Sequence, residues 1–473
     1  MRKSVFIAFV FTFQILFVSA QDFSYDKKMG AEAAKQVETM MDIYPDSALR
    51  EYVADVGNRL ASVLGKAPVD FRFHLIDSPD PNAFALPGGY IYITRGLLVL
   101  VNDEAELAGV MGHEMIHVTK RHSVKQQQKG ILPAILQIPG AIIGMASPEL
   151  GKVINTPINF GSQVFLSSYS RSHEKEADRF GVKLASKAGY DPSKLAVILH
   201  SLSEDVERMT GEAEKKSYLA SHPYTPKREA YLKDEIETLD WTPKKAIAQS
   251  KEDVYKKLEG MVFGQNPQQG IFDDSLFMHP DMDFAIIFPS IWQTTNVPVA
   301  VGATEKNGEA QIVLQLDNSG KEPDSLGLAF VDYLKKNNLK PKESKSVTIN
   351  GNPAYFVSLQ DDSGEKTIEV QTWWLKMNDL VFHMVGVGYP EHSKAINNTV
   401  HSIRKLTKEE KAGISSLKIH FAKANEGESL EDFSKRTNNN WDIETMVIMN
   451  NLEPGAKLTS GQLLKIAVEE SYF

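Results

Sequence analysis

The sequence predicts an α+β multidomain chain: a mostly helical first domain with a small edge-strand sheet, then an α+β domain, then a compact βααβ module. Three observations predict it. Apolar residues recur at helical spacing around His113-Glu114-Met115-Ile116-His117 and again beyond residue 170. After residue 281 short runs alternate at strand period, separated by Asn-Gly and Asn-Asp turns. Residues 417–467 then read strand, helix, helix, strand. A length of 473 residues suggests about three domains. The expected boundaries are 1–20 for a leader, 21–245 for the first domain, 246–280 for a connector, 281–410 for the second domain and 415–468 for the last module.

Met1–Ala20 reads as a signal peptide. Arg2 and Lys3 precede the apolar run Val5–Val18, and Val18-Ser19-Ala20 places small residues before the cut at Gln21. The run is too short for a comfortable membrane span. No cysteine follows it, so it is not read as a lipoprotein signal, and the expected location is periplasmic or secreted. With 42% hydrophobic and 24% charged residues the composition is that of a globular chain. It contains no cysteine, so any metal must be held by His, Asp or Glu. The formal charge of −9 becomes −11 without Arg2 and Lys3, which argues against a nucleic-acid partner.

Residues 28–66 read as amphipathic helices, with Ser47 as a cap for 48–64. Phe71–Ile76 alternates as a strand, and Tyr90–Thr94 is a second strand after the turn Pro87-Gly88-Gly89. Asp103 and Glu106 have capping-box spacing at the start of the next helix. On that helix His113 and His117 lie four residues apart, so both imidazoles project from one face and can grip one metal ion. Zinc is the expected cofactor, one per chain, because it takes neutral imidazole readily and a catalytic site leaves a position open for water. Glu114 stands where a carboxylate can take a proton from that water.

A third ligand is expected in Ser170-Arg171-Ser172-His173-Glu174-Lys175-Glu176-Ala177-Asp178. If 170–188 is a helix, Glu174, Ala177, Asp178 and Gly181 share a face, and the small Ala177 and Gly181 allow close approach to the His113–His117 helix. Glu174 is the chosen ligand, and Glu176 should point away. Asp178 suits a supporting role, accepting the far N–H of a ligating histidine.

The string Asn82-Ala83-Phe84-Ala85-Leu86-Pro87-Gly88-Gly89-Tyr90-Ile91-Tyr92-Ile93-Thr94-Arg95-Gly96-Leu97-Leu98, followed by Glu106-Leu107-Ala108, HEMIH and SRSHEKEAD, resembles the HtpX-like zinc endopeptidases. These are gluzincins related to the CaaX prenyl proteases and to soluble periplasmic proteases of outer-membrane quality control. The resemblance covers roughly residues 28–240. It implies zinc on His113, His117 and Glu174, Glu114 as base, and a substrate-pairing edge strand within 82–93, where Asn82, Ala83, Gly88 and Gly89 are the candidate substrate-binding residues.

Residues 130–168 are apolar but broken by Pro133, Pro139, Pro148 and Pro157, which argues against one membrane-spanning helix. They are read either as a lid over the cleft, with 130–160 near a membrane, or as a buried helical hairpin. Ser221-His222-Pro223 with Arg228 resembles a further motif of the same family. His222 is expected to donate to the oxyanion or to occupy the metal's open position in a latent state. Arg228 is expected to orient substrate or to anchor the turn.

In the second domain strands are expected at Phe284–Phe288, Gln311–Leu316, Val347–Ile349, Tyr355–Leu359, Thr367–Met377 and Val381–Val387, with helices at 324–338 and 391–405. No role is assigned to it. The order in 417–467, with Gly427-Glu428-Ser429-Leu430, Asn450-Asn451-Leu452 and Gly461–Ile466, resembles a LysM domain, which implies peptidoglycan as a partner for 415–468. The combined expectation is an exported zinc metalloendopeptidase acting on unfolded or misfolded envelope polypeptides. The competing expectation is a latent, chaperone-like or cell-wall-associated scaffold.

Overall fold

The computed structural model describes residues 23–65, 67–128, 169–208, 217–223, 225–364 and 366–473. The leader and the apolar stretch 130–168 lie outside the described residues.

The first body opens with α1 (Ser24–Met40) and α2 (Ser47–Val63). Asp46, not Ser47, caps α2, its carboxylate accepting from the Leu49 amide at 2.9 Å. A carboxylate one residue earlier reaches the free amides of the first turn, so Ser47 becomes the first helical residue. Three strands follow, β1 (Arg72–Ile76), β2 (Ala83–Leu86) and β3 (Tyr90–Thr94), in the order β1-β3-β2. β1 runs parallel and β2 antiparallel to β3. Alternation sends Phe84, Leu86 and Tyr92 to α1, where they pack on Ala33 and Val37. Ala83, Ala85, Ile91 and Ile93 face the main core.

The short α3 (Arg95–Leu100) leads into α4 (Glu104–Thr119), whose residues are buried from Glu104 to Val118. Buried on every side, α4 is the central rod of this body. Asp103 accepts from the Ala105 amide, while Glu106 accepts from the Asn102 amide at 2.7 Å, so the N-terminal amides are tied down one residue earlier than a capping box would do it. Arg121, with φ 57°, turns the chain sharply into α5 (His122–Gln128). Then come α6 (Arg171–Ala188), α7 (Lys194–Arg208), the single turn α8 (Tyr218–Ser221) and α9 (Pro226–Glu237). Ser170 caps α6 and the left-handed Gly189 ends it.

The expected connector 246–280 is folded. The amides of Ile247 and Ala248 donate to the Glu104 carboxylate, and α10 (Lys251–Leu258) buries Val254, Tyr255 and Leu258. The strand β4 (Val262–Phe263) gives its Val262 carbonyl to the buried Arg95. A polar composition concealed an amphipathic helix whose one apolar face belongs to the first core.

The second body begins with β5 (Ile271–Asp273), β6 (Leu276–His279) and β7 (Phe284–Ile287). It continues through β8 (Gln293–Val297), β9 (Ala300–Thr304), β10 (Ala310–Leu316), α11 (Pro323–Lys336), β11 (Glu343–Ile349), β12 (Asn352–Asp361), β13 (Ile368–Met377), β14 (Leu380–Gly388) and α12 (Ser393–His401). Seven of these strands form one antiparallel sheet, ordered β11-β12-β13-β14-β10-β9-β8. The turns Asn350-Gly351 and Asn378-Asp379 carry the positive φ values that tight hairpins need. Val331 and Leu334 of α11 cover one face, against Tyr355 and Trp374. Ile396 and Val400 of α12 cover the other, against Trp373 and Phe382.

After α13 (Lys408–Gly413) the chain returns to the first body as β15 (Ser415–Lys423), α14 (Leu430–Thr437), α15 (Ile443–Asn450) and β16 (Leu463–Ser471). The βααβ order is present, with β16 running three residues past 468. It is not a separate bead. β15 pairs with β16 and also with β4, and Ile419, Phe433, Trp441, Met449 and Ile466 share one core with Leu97, Leu107 and Tyr255. Lys465, wholly buried, donates to the carbonyls of Val99 and Val101, the latter at 2.9 Å. Asn102 donates to the Met449 carbonyl, and Tyr255 donates to Asn102. In place of three modules in tandem, the last one completes the first, because apolar faces that short elements cannot bury alone are buried on one another.

Candidate metal centre

α4 and α6 touch backbone to backbone. A Cβ on Gly181 would lie 3.0 Å from the His113 nitrogen, and one on Gly112 would lie 3.2 Å from the Gly181 carbonyl. Glycine at both positions brings Glu174 over the histidine face of α4. The Nε2 atoms of His113 and His117 are 2.9 Å apart. Glu174 Oε2 lies 3.6 Å from the first and Oε1 lies 3.4 Å from the second. His222 Nδ1 comes within 3.2 Å of His113 Nε2 and 3.1 Å of Glu174 Oε1. One donor atom from each of the four side chains lies within 4.8 Å of the others, and all four residues are buried.

The donor set fits zinc: imidazole nitrogens and a carboxylate oxygen, with no thiolate in the chain. Burial holds His117 well below the usual imidazole range, in the neutral form a cation requires. Glu174 is wholly ionised: burial works against its charge, but His222, His117 and His113 outweigh it. Asp178 Oδ1 sits 2.8 Å from His113 Nδ1, the supporting position expected of it.

Glu114 is fully buried. Its Oε1 accepts from the Tyr218 hydroxyl at 3.3 Å and lies 3.4 Å from His222 Nε2, whereas Oε2 has no hydrogen-bond partner. Burial first, and the Glu174 charge second, push its carboxyl up, with His222 and His113 opposing. A buried carboxylate with a raised affinity for protons and a free oxygen beside the metal donors has the properties of a general base.

His222 is placed by α8, its amide donating to the Tyr218 carbonyl and its ring stacked on that of Tyr218 at 4.3 Å. Arg228 is committed to protein. Its Nε and Nη2 donate to the two oxygens of Asp178 at 2.7 and 2.8 Å, and Nη1 donates to the His222 carbonyl at 3.0 Å and lies 3.1 Å from Glu174. Of the two roles expected for Arg228, the geometry is that of the anchor, since no guanidinium nitrogen is left facing a substrate. Tyr231 also donates to Asp178.

Among the described residues β2 pairs with β3 alone, so Ala83 lies on an outer strand. The Asn82 amide donates to Thr94 Oγ1 and its carbonyl accepts from Thr94. Gly88 and Gly89 have φ of 82° and 102°. A Cβ on Gly88 would meet the backbone of Asp26 and Lys27 at 3.0 Å, and one on Gly89 the Asp70 carbonyl at 2.4 Å. Both face protein backbone, so the structure uses them for the turn and its close packing, not for a surface that a peptide can reach.

Sequence reasoning missed Tyr218, Tyr169, Tyr231 and His122. Tyr169 places its ring 3.8 Å from that of His117, and His122 brings its Nδ1 within 3.0 Å of His117 Nδ1. The available signals were a tyrosine four residues before His222 and a third histidine five residues after His117.

Residues 47–236 match the family model Peptidase family M48. The chain is 28% identical over 234 residues to the beta-barrel assembly-enhancing protease of Escherichia coli (strain K12), covering 49% of this chain and 47% of that protein. It is 35% identical over 164 residues to the putative beta-barrel assembly-enhancing protease of Vibrio cholerae, covering 34% of each. It is 30% identical over 239 residues to the mitochondrial metalloendopeptidase OMA1 of Schizosaccharomyces pombe, covering 49% of this chain and 65% of that one. The chain thus spans about half the length of the first of these relatives. The matches are to family M48 as a whole and do not single out its HtpX-like branch. The segment that carries His113, Glu114, His117, Glu174 and His222 lies within the residues similar to the M48 peptidases.

Proposed function

We propose that this chain is a zinc-dependent metalloendopeptidase that hydrolyses peptide bonds. The observation that carries the reading is Glu114 Oε2, buried and unpartnered beside the converging donor atoms of His113, His117 and Glu174. Zinc held by His113, His117 and Glu174 would supply Lewis acidity to a carbonyl and to water. Glu114 takes the proton from the attacking water at Oε2 and passes it to the leaving amine, one carboxylate serving as base and then as acid. Tyr218 and His222, both beside Glu114, are the side chains placed to donate to a carbonyl oxygen as negative charge develops on it. β2 is paired on one side only among the described residues, and an extended peptide would add to its other side once that buried edge is uncovered, a mode that reads shape more than sequence.

The deciding experiment quantifies zinc in residues 21–473 and compares cleavage of an unfolded polypeptide by wild type and Glu114→Gln. One zinc in both, with cleavage falling ~10²–10⁴-fold in the variant, is the expected result. Zinc without cleavage by either protein would discard peptidase activity.

A second reading, a latent or scaffold protein, is favoured by His222 alone, whose Nδ1 stands among the donor atoms where a fourth ligand would. His222→Ala separates the two: cleavage rises if His222 blocks the site and falls if it serves the reaction.

The relatives named for beta-barrel assembly support substrates among misfolded or stalled envelope proteins, and with the Met1–Ala20 pattern they support a periplasmic or secreted location. The mitochondrial relatives show that similarity alone does not fix the compartment. No helix among the described residues is long and apolar enough to cross a membrane. We read 415–471 as LysM-like and capable of holding peptidoglycan. Because it shares a core with the first body, the pull-down test needs the whole chain, and no retention on peptidoglycan would leave the module a purely structural role.

A further inference from the structure

We propose that His122 and Glu176 form a relay that seats His117 as a metal ligand, His117 giving its far proton to His122 and His122 giving its own to Glu176. The inference rests on the reading of His113, His117 and Glu174 as zinc ligands. His117 Nδ1 and His122 Nδ1 are 3.0 Å apart, and His122 Nε2 is 3.2 Å from Glu176 Oε2. Two ring nitrogens at that distance share one proton. His117 Nε2 faces His113 and Glu174 and must keep its lone pair for a cation, so the proton sits on His117 Nδ1. His122 Nδ1 is then the acceptor, its N–H lies at Nε2, and that N–H points at a carboxylate. The proton positions close without leaving an unpaired nitrogen.

The scaffold holds each member in place. The left-handed turn at Arg121 brings the first residue of α5 back under α4, and Asp26 grips Arg121 Nε at 2.8 Å. The His122 side chain is wholly buried and stacked on His173 at 4.3 Å with planes 7° apart. Lys120 holds the other Glu176 oxygen at 3.0 Å. The two histidine ligands are therefore supported from the same helix, His113 directly by Asp178 and His117 through His122 by Glu176. Glu176 does point away from the donor cluster, as helical geometry requires, yet it reaches that cluster through one imidazole.

His122 is a positioning residue, so the test reads metal affinity and not turnover alone. Zinc affinity of the full chain is measured by competition with a chromophoric chelator, alongside thermal unfolding of the zinc-free protein. His122→Ala is expected to weaken zinc by ~10–100-fold, the usual effect of removing a supporting partner. Glu176→Gln, on a half-exposed side chain that tolerates change, should cost less because the amide oxygen still accepts. His122→Asn, whose carboxamide oxygen can stand in for Nδ1, should recover part of the loss. Wild-type affinity in both His122→Ala and Glu176→Gln would overturn the relay while leaving the zinc site standing. A drop in zinc-free stability with unchanged affinity would overturn it too, by making His122 merely structural. A wild-type chain that takes up no zinc would remove the metal reading and the relay together. Should His122→Ala fail to fold, Glu176→Ala, which removes the acceptor from His122 Nε2, decides: weakened zinc supports the relay and wild-type affinity overturns it.

Discussion

Removing Asp178 and Arg228 singly and together should expose how tightly the ligand shell is built. Asp178 has no solvent-exposed side-chain surface and Arg228 only 4%. Asp178 carries two bonds from Arg228, one from Tyr231 and the contact with His113 Nδ1. Asp178→Ala therefore takes from a buried guanidinium its two-oxygen partner and leaves Glu174 as its remaining carboxylate, so the cost should lie toward the lower end of the about 3–5 kcal/mol for breaking a buried pair from one side. Arg228→Ala strands the carboxylate and also frees the His222 and Pro223 carbonyls, so its cost is of the same size. The double variant strands no charge, and its loss should fall short of the sum by about 2 kcal/mol, within the range for residues in direct contact. At ~2–4 °C per kcal/mol for a body of this size, each single change should lower the unfolding temperature by roughly 10 °C. Thermal unfolding with chelator present gives the stability cycle, and repeating it with zinc shows whether Asp178→Ala also loosens the metal. Additive losses in the double variant would refute the reasoning, because they would mean that the two groups do not compensate one another.

Three further outcomes follow from neighbouring features. Gly181→Ala forces α6 off α4 at a backbone contact that cannot yield, so zinc affinity should fall roughly tenfold and stability by about 1–3 kcal/mol; chelator competition and denaturant unfolding check both. Lys465→Met leaves the Val99 and Val101 carbonyls without their donor and should cost about 2–4 kcal/mol by denaturant unfolding, with less than about 1 counting against the clamp. The charges around Asp178 hold its carboxyl below the ordinary 3.8, so its contribution is present above that pH and disappears as pH falls below it. Asp178→Asn should flatten the acid limb of the stability curve, seen as a smaller loss of unfolding temperature between about pH 5 and pH 3.

The helices bearing His113, His117 and Glu174 were legible because a buried helix writes its faces at a fixed period, and Ala177 and Gly181 marked the face that must approach closely. Tyr90–Thr94 and the Asn-Gly and Asn-Asp hairpins were legible for the same local reason. What failed is what depends on distant residues. β8 and β9 were missed, Gln293–Val297 being polar and half-exposed on an outer strand. Nothing in Lys465 itself announces that it will lie buried against Val99, more than 360 residues away. Beyond its spacing from His117, His122 carries no sequence signal of its own, because its place beside that residue depends on the left-handed Arg121.

The fusion of β15–β16 with the first body also sets an order of events during synthesis. The residues that lead into α4 bond to Met449 and Lys465, which leave the ribosome after the whole second body, so those contacts form only once that body has been made. The sheet of β8–β14 is built from strands near one another in sequence and can fold while that core waits. Pairing β15 with β4 across more than 150 residues is the slow, long-range step. Closure of the core that surrounds His113 and His117 is thereby tied to β15 and β16, a form of delay written into connectivity.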